Sequence, residues 1–155
     1  MHILKHATPA CAALILLVCG CGAGGPLTPE EAFTQLKRAY ASADAPALMD
    51  LLSGRSRKNI DLIIAEMRQL DGGQAKAISR QLGVPEDRLR SLTPVEYLAL
   101  QLELSKRYGE DTAMQATAHG IIGTDVKDGR AVVRVDNGMD LIFVKEGPYW
   151  KYEME

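Results

Sequence analysis

The stretch Arg130-Ala131-Val132-Val133-Arg134-Val135-Asp136-Asn137-Gly138-Met139-Asp140-Leu141-Ile142-Phe143-Val144 decides the fold. Successive side chains of a strand point to opposite faces, so Ala131, Val133 and Val135 share one face and Leu141 and Phe143 share one. Asn137-Gly138 between them is a tight-turn dipeptide that tolerates positive φ, which predicts an antiparallel hairpin. Downstream, Lys145-Glu146-Gly147-Pro148 separates this hairpin from Tyr149 to Met154, where Trp150, Tyr152 and Met154 have one parity. Upstream, Lys127-Asp128-Gly129 separates it from Ala113 to Thr124, which reads as a further strand. Four strands in a meander follow. Their common apolar face needs a cover.

The cover lies earlier in the chain, where the apolar period is helical. Thr28-Pro29-Glu30-Glu31 reads as a helix start: Thr28 caps, Pro29 fits the first turn, and Glu31 closes a capping box. Phe33, Leu36, Tyr40 and Ala43 follow at helical spacing, and Asp44-Ala45-Pro46 stops that helix and opens a second, which ends at Ser53-Gly54. Ile60, Ile63, Ile64, Met67 and Leu70 form the stripe of a third, with Lys58, Asp61, Glu66 and Arg68 off it. Asp71-Gly72-Gly73 is read as a break, followed by a short helix through Ala75, Ile78 and Leu82 that Gly83 closes, and a turn from Pro85 to Leu89. Thr93-Pro94-Val95-Glu96 repeats the capping chemistry before a helix carrying Tyr97, Leu100, Leu104 and Tyr108, which Gly109 stops. Helices first and strands second is the order of an α+β domain, here spanning 28–155.

Several of these segments resemble the nuclear transport factor two-like (SnoaL-like, cystatin-like) superfamily, especially its small bacterial lipoproteins. The resemblance lies in Pro29-Glu30-Glu31 with Phe33 and Leu36, in the Ala43-Asp44 junction followed by Leu48, Leu51, Leu52 and Ser53, and in Val144-Lys145-Glu146-Gly147 leading to Trp150-Lys151. It implies a curved antiparallel sheet wrapped over helices around a cone-shaped cavity. Between Arg55 and Gly109 the chain departs from the family pattern, being helical throughout and longer.

The start of the chain supplies an address. Lys5 and the amino terminus precede an apolar run from Ala10 to Val18, the layout of an export signal. A bilayer-spanning helix needs roughly 20 apolar residues; here Lys5, His6 and Pro9 bound one side and Gly20 to Pro26 the other, so the run is too short. Val18-Cys19-Gly20-Cys21 resembles a lipobox, with Val18 three before the cysteine and small Gly20 just before it. Residues 1–20 are therefore expected as a lipoprotein signal peptide, Cys21 as the lipid attachment site, and 21–27 as a flexible tether of roughly 20 Å at full extension. An ordinary cleaved signal is the alternative. In the resembling lipoproteins a glycine after the cysteine, as Gly22 here, implies outer-membrane delivery facing the periplasm.

Composition narrows the chemistry. All three cysteines, Cys11, Cys19 and Cys21, lie at or before the cleavage point, so no disulfide is expected and the core alone must supply stability. Of 18 basic side chains Lys5 leaves with the signal, giving 17 against 20 acidic ones, a balance that offers nucleic acid no general attraction. Ile78 to Leu89 has a faint helix-turn-helix look, but an exported acidic domain is a poor DNA reader. His119 is the one mature histidine, and a usual His/Cys metal site needs more ligands. No cofactor is expected.

Candidate pocket residues are the aromatics Tyr40, Tyr97, Tyr108, Phe143 and Trp150, which at these periods equally form an ordinary core. Enzymes of the resembling superfamily place Asp, His and Tyr groups in the cone, and Tyr40, Asp61, His119 and Asp140 are residues of those types. Nothing in their spacing brings them together. Arg55, Arg57 and Lys58 cluster before the third helix. The expected function is a lipid-anchored envelope protein acting as a noncatalytic module for a small ligand or an envelope protein. A cavity enzyme of isomerase, lyase or hydrolase type, or a structural spacer, are the alternatives.

Acyl chains contribute about 0.8 kcal/mol per buried CH₂, and stable anchoring takes more than one. Cys21→Ala should therefore abolish fatty-acid labelling of the chain in cells, and labelling that survives would remove the anchor.

Overall fold

A computed structural model describes residues 24–109 and 111–154. The signal segment 1–20, Cys21 and the first tether residues lie outside the described residues.

Helices begin where a side chain can accept the free N–H groups of a first turn. α1 (Pro29–Ser42) is capped by Thr28, which accepts the Glu31 N–H at 3.1 Å. Glu31 sends its carboxylate to the Leu27 N–H at 2.8 Å, one residue before the expected partner. Asp44 caps α2 (Ala45–Leu51), and Ser53 caps α3 (Gly54–Gln69). Arg55, Arg57 and Lys58 thus stand inside α3, not before it. α4 (Gly72–Leu82) opens on a complete capping box between Asp71 and Gln74, so Gly72 and Gly73 form its first turn and not a break. α5 (Glu86–Ser91) follows, then α6 (Pro94–Tyr108) with the expected Thr93–Glu96 box and Gly109 in left-handed conformation at its end.

The strand expected over Ala113 to Thr124 is corrected by the structure. Asp111 caps a helix, α7 (Thr112–Thr117), whose buried Ala113, Ala116 and Thr117 fall at helical spacing. An alanine-rich segment with a good cap favours helix over strand. Extended structure begins at β1 (Ile121–Lys127) and continues through β2 (Arg130–Val135), β3 (Asp140–Glu146) and β4 (Tyr149–Tyr152). These form one curved antiparallel sheet in sequence order.

Turn chemistry sets the register. Asp128 and Gly129 both take positive φ in the first hairpin, as a two-residue primed turn requires. Val133 pairs with Leu141, Ala131 with Phe143, and Phe143 with Tyr152, so the apolar residues fall on one face. α1 lies over β1, β2 and β4, while α7 meets β3. Leu36, Val133, Val135 and Phe143 are wholly buried in the resulting core, so side chains fill the helix–sheet interior.

The outer edge of β4 is covered by chain from the N-terminal half. The Trp150 N–H donates to the Pro26 carbonyl at 2.9 Å, and the Ser53 N–H donates to the Tyr152 carbonyl at 2.8 Å. Just past the strand, the Met154 N–H donates to Ser56 Oγ at 2.9 Å. Pro26 is buried, and a Cβ on Gly25 would stand 2.9 Å from Cγ of Tyr149. The expected tether is therefore docked on the domain from Gly24 onward.

Trp150 is 6% exposed on the inward face of this strand. Truncating a buried aromatic costs about 3–5 kcal/mol, a large part of the ~5–15 kcal/mol stability of a domain. Trp150→Ala should unfold or nearly unfold the protein in a thermal melt; a melt close to the parent would show the faces of β4 to be reversed.

Candidate functional site

Asp111 stands where two openings meet. Its Oδ1 accepts the Met114 N–H at 2.8 Å, capping α7, and its Oδ2 accepts from Ser105 Oγ of α6 at 3.4 Å. Tyr40 of α1 lines the same cavity as this carboxylate. Three helices therefore meet around Asp111, which has no donor of its own and is held by those of α6 and α7.

On one side lies a cavity of about 220 Å³ lined by Tyr40, Asp111, Asp140 and Tyr152. On the other, a cleft of about 550 Å³ between α4 and α6 is lined by Gln81, Leu82, Gln101, Leu104, Tyr108 and Asp111. Tyr40 is buried, and desolvation first, then the charge of Asp111, raise its phenol far above the ordinary tyrosine range. Tyr108 is 58% exposed on the rim of the larger cleft.

The aromatic candidates thus divide. Tyr40 and Tyr108 line these openings, whereas Tyr97, Phe143 and Trp150 are packed in the core. Burial raises the Tyr97 phenol as well.

Of the four acid–base candidates, the structure brings Tyr40 and Asp140 to one cavity. Asp140 Oδ1 also accepts from Arg134 Nε at 3.1 Å. Asp61 is exposed on α3, away from both openings. His119 sits between α7 and β1 and pairs through Nδ1 with Asp136 Oδ1 at 2.5 Å, with both side chains about half exposed. Asp136 also accepts the Gly120 N–H at 3.1 Å. That backbone bond, then His119, hold its carboxyl below the usual range. The pair clips the entrance of β1 to the β2–β3 turn.

Asp111, Ser105, Gln81 and Gln101 escape a reading by residue type. The signal for Asp111 was present in Gly109 followed by an acidic residue and Thr112-Ala113, the end of one helix and the cap of another. Nothing marked the glutamines, which meet only once α4 folds beside α6.

Hydrogen bonds to the ionised form, the leading cause in each, hold the carboxyls of Glu30, Glu96 and Asp136 below the ordinary range. Among the described residues no group of three His, Cys, Asp or Glu side chains converges, and no helix is long and apolar enough to cross a membrane. No family model, curated protein or solved structure matches the chain.

Because the folded state raises the phenol of Tyr40, the stability this group confers is full below the unfolded tyrosine value near ~10 and is lost as pH rises above it. Denaturant midpoints measured from neutral to alkaline pH should fall on that limb. Tyr40→Phe should flatten the limb. An alkaline limb unchanged in the variant would show that burial of the Tyr40 phenol does not produce it.

Proposed function

We propose that this chain is a lipid-anchored protein of the bacterial cell envelope that works as a noncatalytic binding module, taking its ligand or protein partner in the cleft between α4 and α6. The anchor rests on Val18-Cys19-Gly20-Cys21 and the export layout before it. Gly22 supports placement at an outer membrane, facing the periplasm, where the cell has one. The helices-then-meander order supports grouping the chain with the small lipoproteins of the nuclear transport factor two-like superfamily that it resembles.

The observation that carries the binding reading is the position of the cleft. The sheet's inner face is packed with side chains, while a cleft of about 550 Å³ is lined mostly by the helical segment between Arg55 and Gly109. Its lining combines apolar Leu82 and Leu104 with the amides of Gln81 and Gln101 and an exposed tyrosine. Binding sites commonly pair apolar walls with a few orienting polar groups. α4 is suited to adapt to an occupant, since it packs chiefly on α5 and buries only Ala75 fully.

A photocrosslinking residue placed at Tyr108 in living cells tests this, with one at Val126 on exposed β1 as the control. The expected result is a discrete adduct at Tyr108 and none at Val126, its added mass separating a small ligand from a protein partner. No adduct, or the same adducts at both positions, would contradict the binding reading.

A further inference from the structure

A third opening lies at the base of the domain, beside the docked N-terminal segment. Here Gly24, Gly25 and Pro26 border a cleft with Arg38 of α1, Arg57 of α3 and Lys151 of β4. Arg57 Nη2 and Lys151 Nζ both donate to the Asp50 carbonyl, at 3.0 and 2.6 Å. Two cationic side chains are thus drawn onto one oxygen. The remaining donor of the guanidinium stem, Arg57 Nε, is buried without a hydrogen-bond partner. A buried donor of a charged group left unmade is costly, and such a group calls for an acceptor. Desolvation, then the charge of Arg57, lower the Lys151 ammonium from its ordinary range, in keeping with crowded positive charge. The carboxylates of Asp44 and Asp50 also border the cleft, and that of Asp44 is engaged in capping α2 through the Ala47 N–H at 2.9 Å. Three cations therefore border the cleft with two carboxylates, and the carboxylates of Asp50 and Glu146 act on Lys151 against the charge of Arg57.

We propose that this cleft, walled by Arg38, Arg57 and Lys151, binds a phosphate group. Arg57 would offer its guanidinium, Lys151 an ammonium, and Arg38 a second guanidinium from the exposed side. Placement favours a lipid headgroup as its source. Two residues, Gly22 and Ala23, separate Gly24 from Cys21, at most roughly 10 Å of chain, so an acylated Cys21 holds the cleft at the level of the headgroups. That assignment rests on the anchor reading. The phosphate chemistry itself does not.

The test follows the Arg57 Nε–H resonance in ¹⁵N NMR spectra of the full chain in neutral detergent. One arm adds inorganic phosphate, with chloride as the ionic-strength control. The other adds dihexanoylphosphatidylglycerol, with dihexanoylglycerol, which lacks the phosphate, as its control. The expected result is a saturable shift with both phosphate compounds and none with either control. Arg38→Gln and Lys151→Gln should each weaken it about tenfold or more. Arg38 is exposed, so that variant leaves folding intact, and a thermal melt checks the other. A shift with inorganic phosphate alone would support the site and assign it to free phosphate. No shift with either compound, or one matched by the controls, would overturn the proposal. Comparing the parent with the Cys21→Ala chain keeps the two readings separate: fatty-acid labelling that survives the substitution, with the phosphate shifts intact, removes the anchor alone, and labelling that the substitution abolishes, with Arg57 unmoved, removes the phosphate site alone.

Discussion

Hydrogen bonds along the outer edge of β4 tie the helical half of this chain to its sheet. An edge strand presents a row of backbone N–H and C=O groups that otherwise template pairing with another chain. Here the Trp150 N–H meets Pro26, the Tyr152 carbonyl meets the Ser53 N–H, and the Met154 N–H meets Ser56 Oγ. Leu52 stands as a one-residue parallel bridge beside Tyr152. Ser53 and Ser56 are buried and bond to each other at 3.0 Å, so the corner between α2 and α3 is built around this contact. One serine thus caps a helix through its side chain and closes a sheet edge through its backbone.

The position of the open surfaces follows from that closure. With β4 covered and the inner face of the sheet packed, concavities are left at the margins, where helices meet each other or the strand edge. The α4–α6 cleft and the cavity beside Tyr40 share Asp111, which is fixed by donors from α6 and α7. The cationic cleft lies at the opposite kind of margin, where the entering chain crosses β4. Both are products of the same packing, and neither needs a hollow core. The His119–Asp136 pair performs a related task at the other end of the sheet, fastening the entry of β1.

Much of the architecture was legible because its signals are local. Asp128-Gly129 and Asn137-Gly138 announce hairpins by the positive φ they tolerate, and the parity of Val133, Val135, Leu141 and Phe143 assigns the inner face. Thr93 and Glu96 announce a helix by a reciprocal bond within four residues. Reading failed where two local signals competed. Gly72-Gly73 argued for a break, yet the Asp71–Gln74 box outweighed two poor helix formers; Ala113 to Ala118 alternates passably as a strand, yet the Asp111 cap made it a helix. Contacts between distant segments left no trace in any window. The bond between Met154 and Ser56 spans 98 positions, and the convergence of Arg57 and Lys151 on Asp50 appears only once α3 and β4 are neighbours.

Native-state hydrogen exchange on the full chain tests the edge closure most directly. Amides closed by tertiary bonds exchange through the same global opening as the core, whereas those at a free edge exchange through small local fluctuations. The Ser53, Trp150 and Met154 amides should be protected to the level of Val133 and Phe143 in the centre of the sheet. Exchange of those three at the rate of exposed amides, while Val133 and Phe143 stay protected, would show that β4 keeps a free edge and that the two halves of the chain are not joined there.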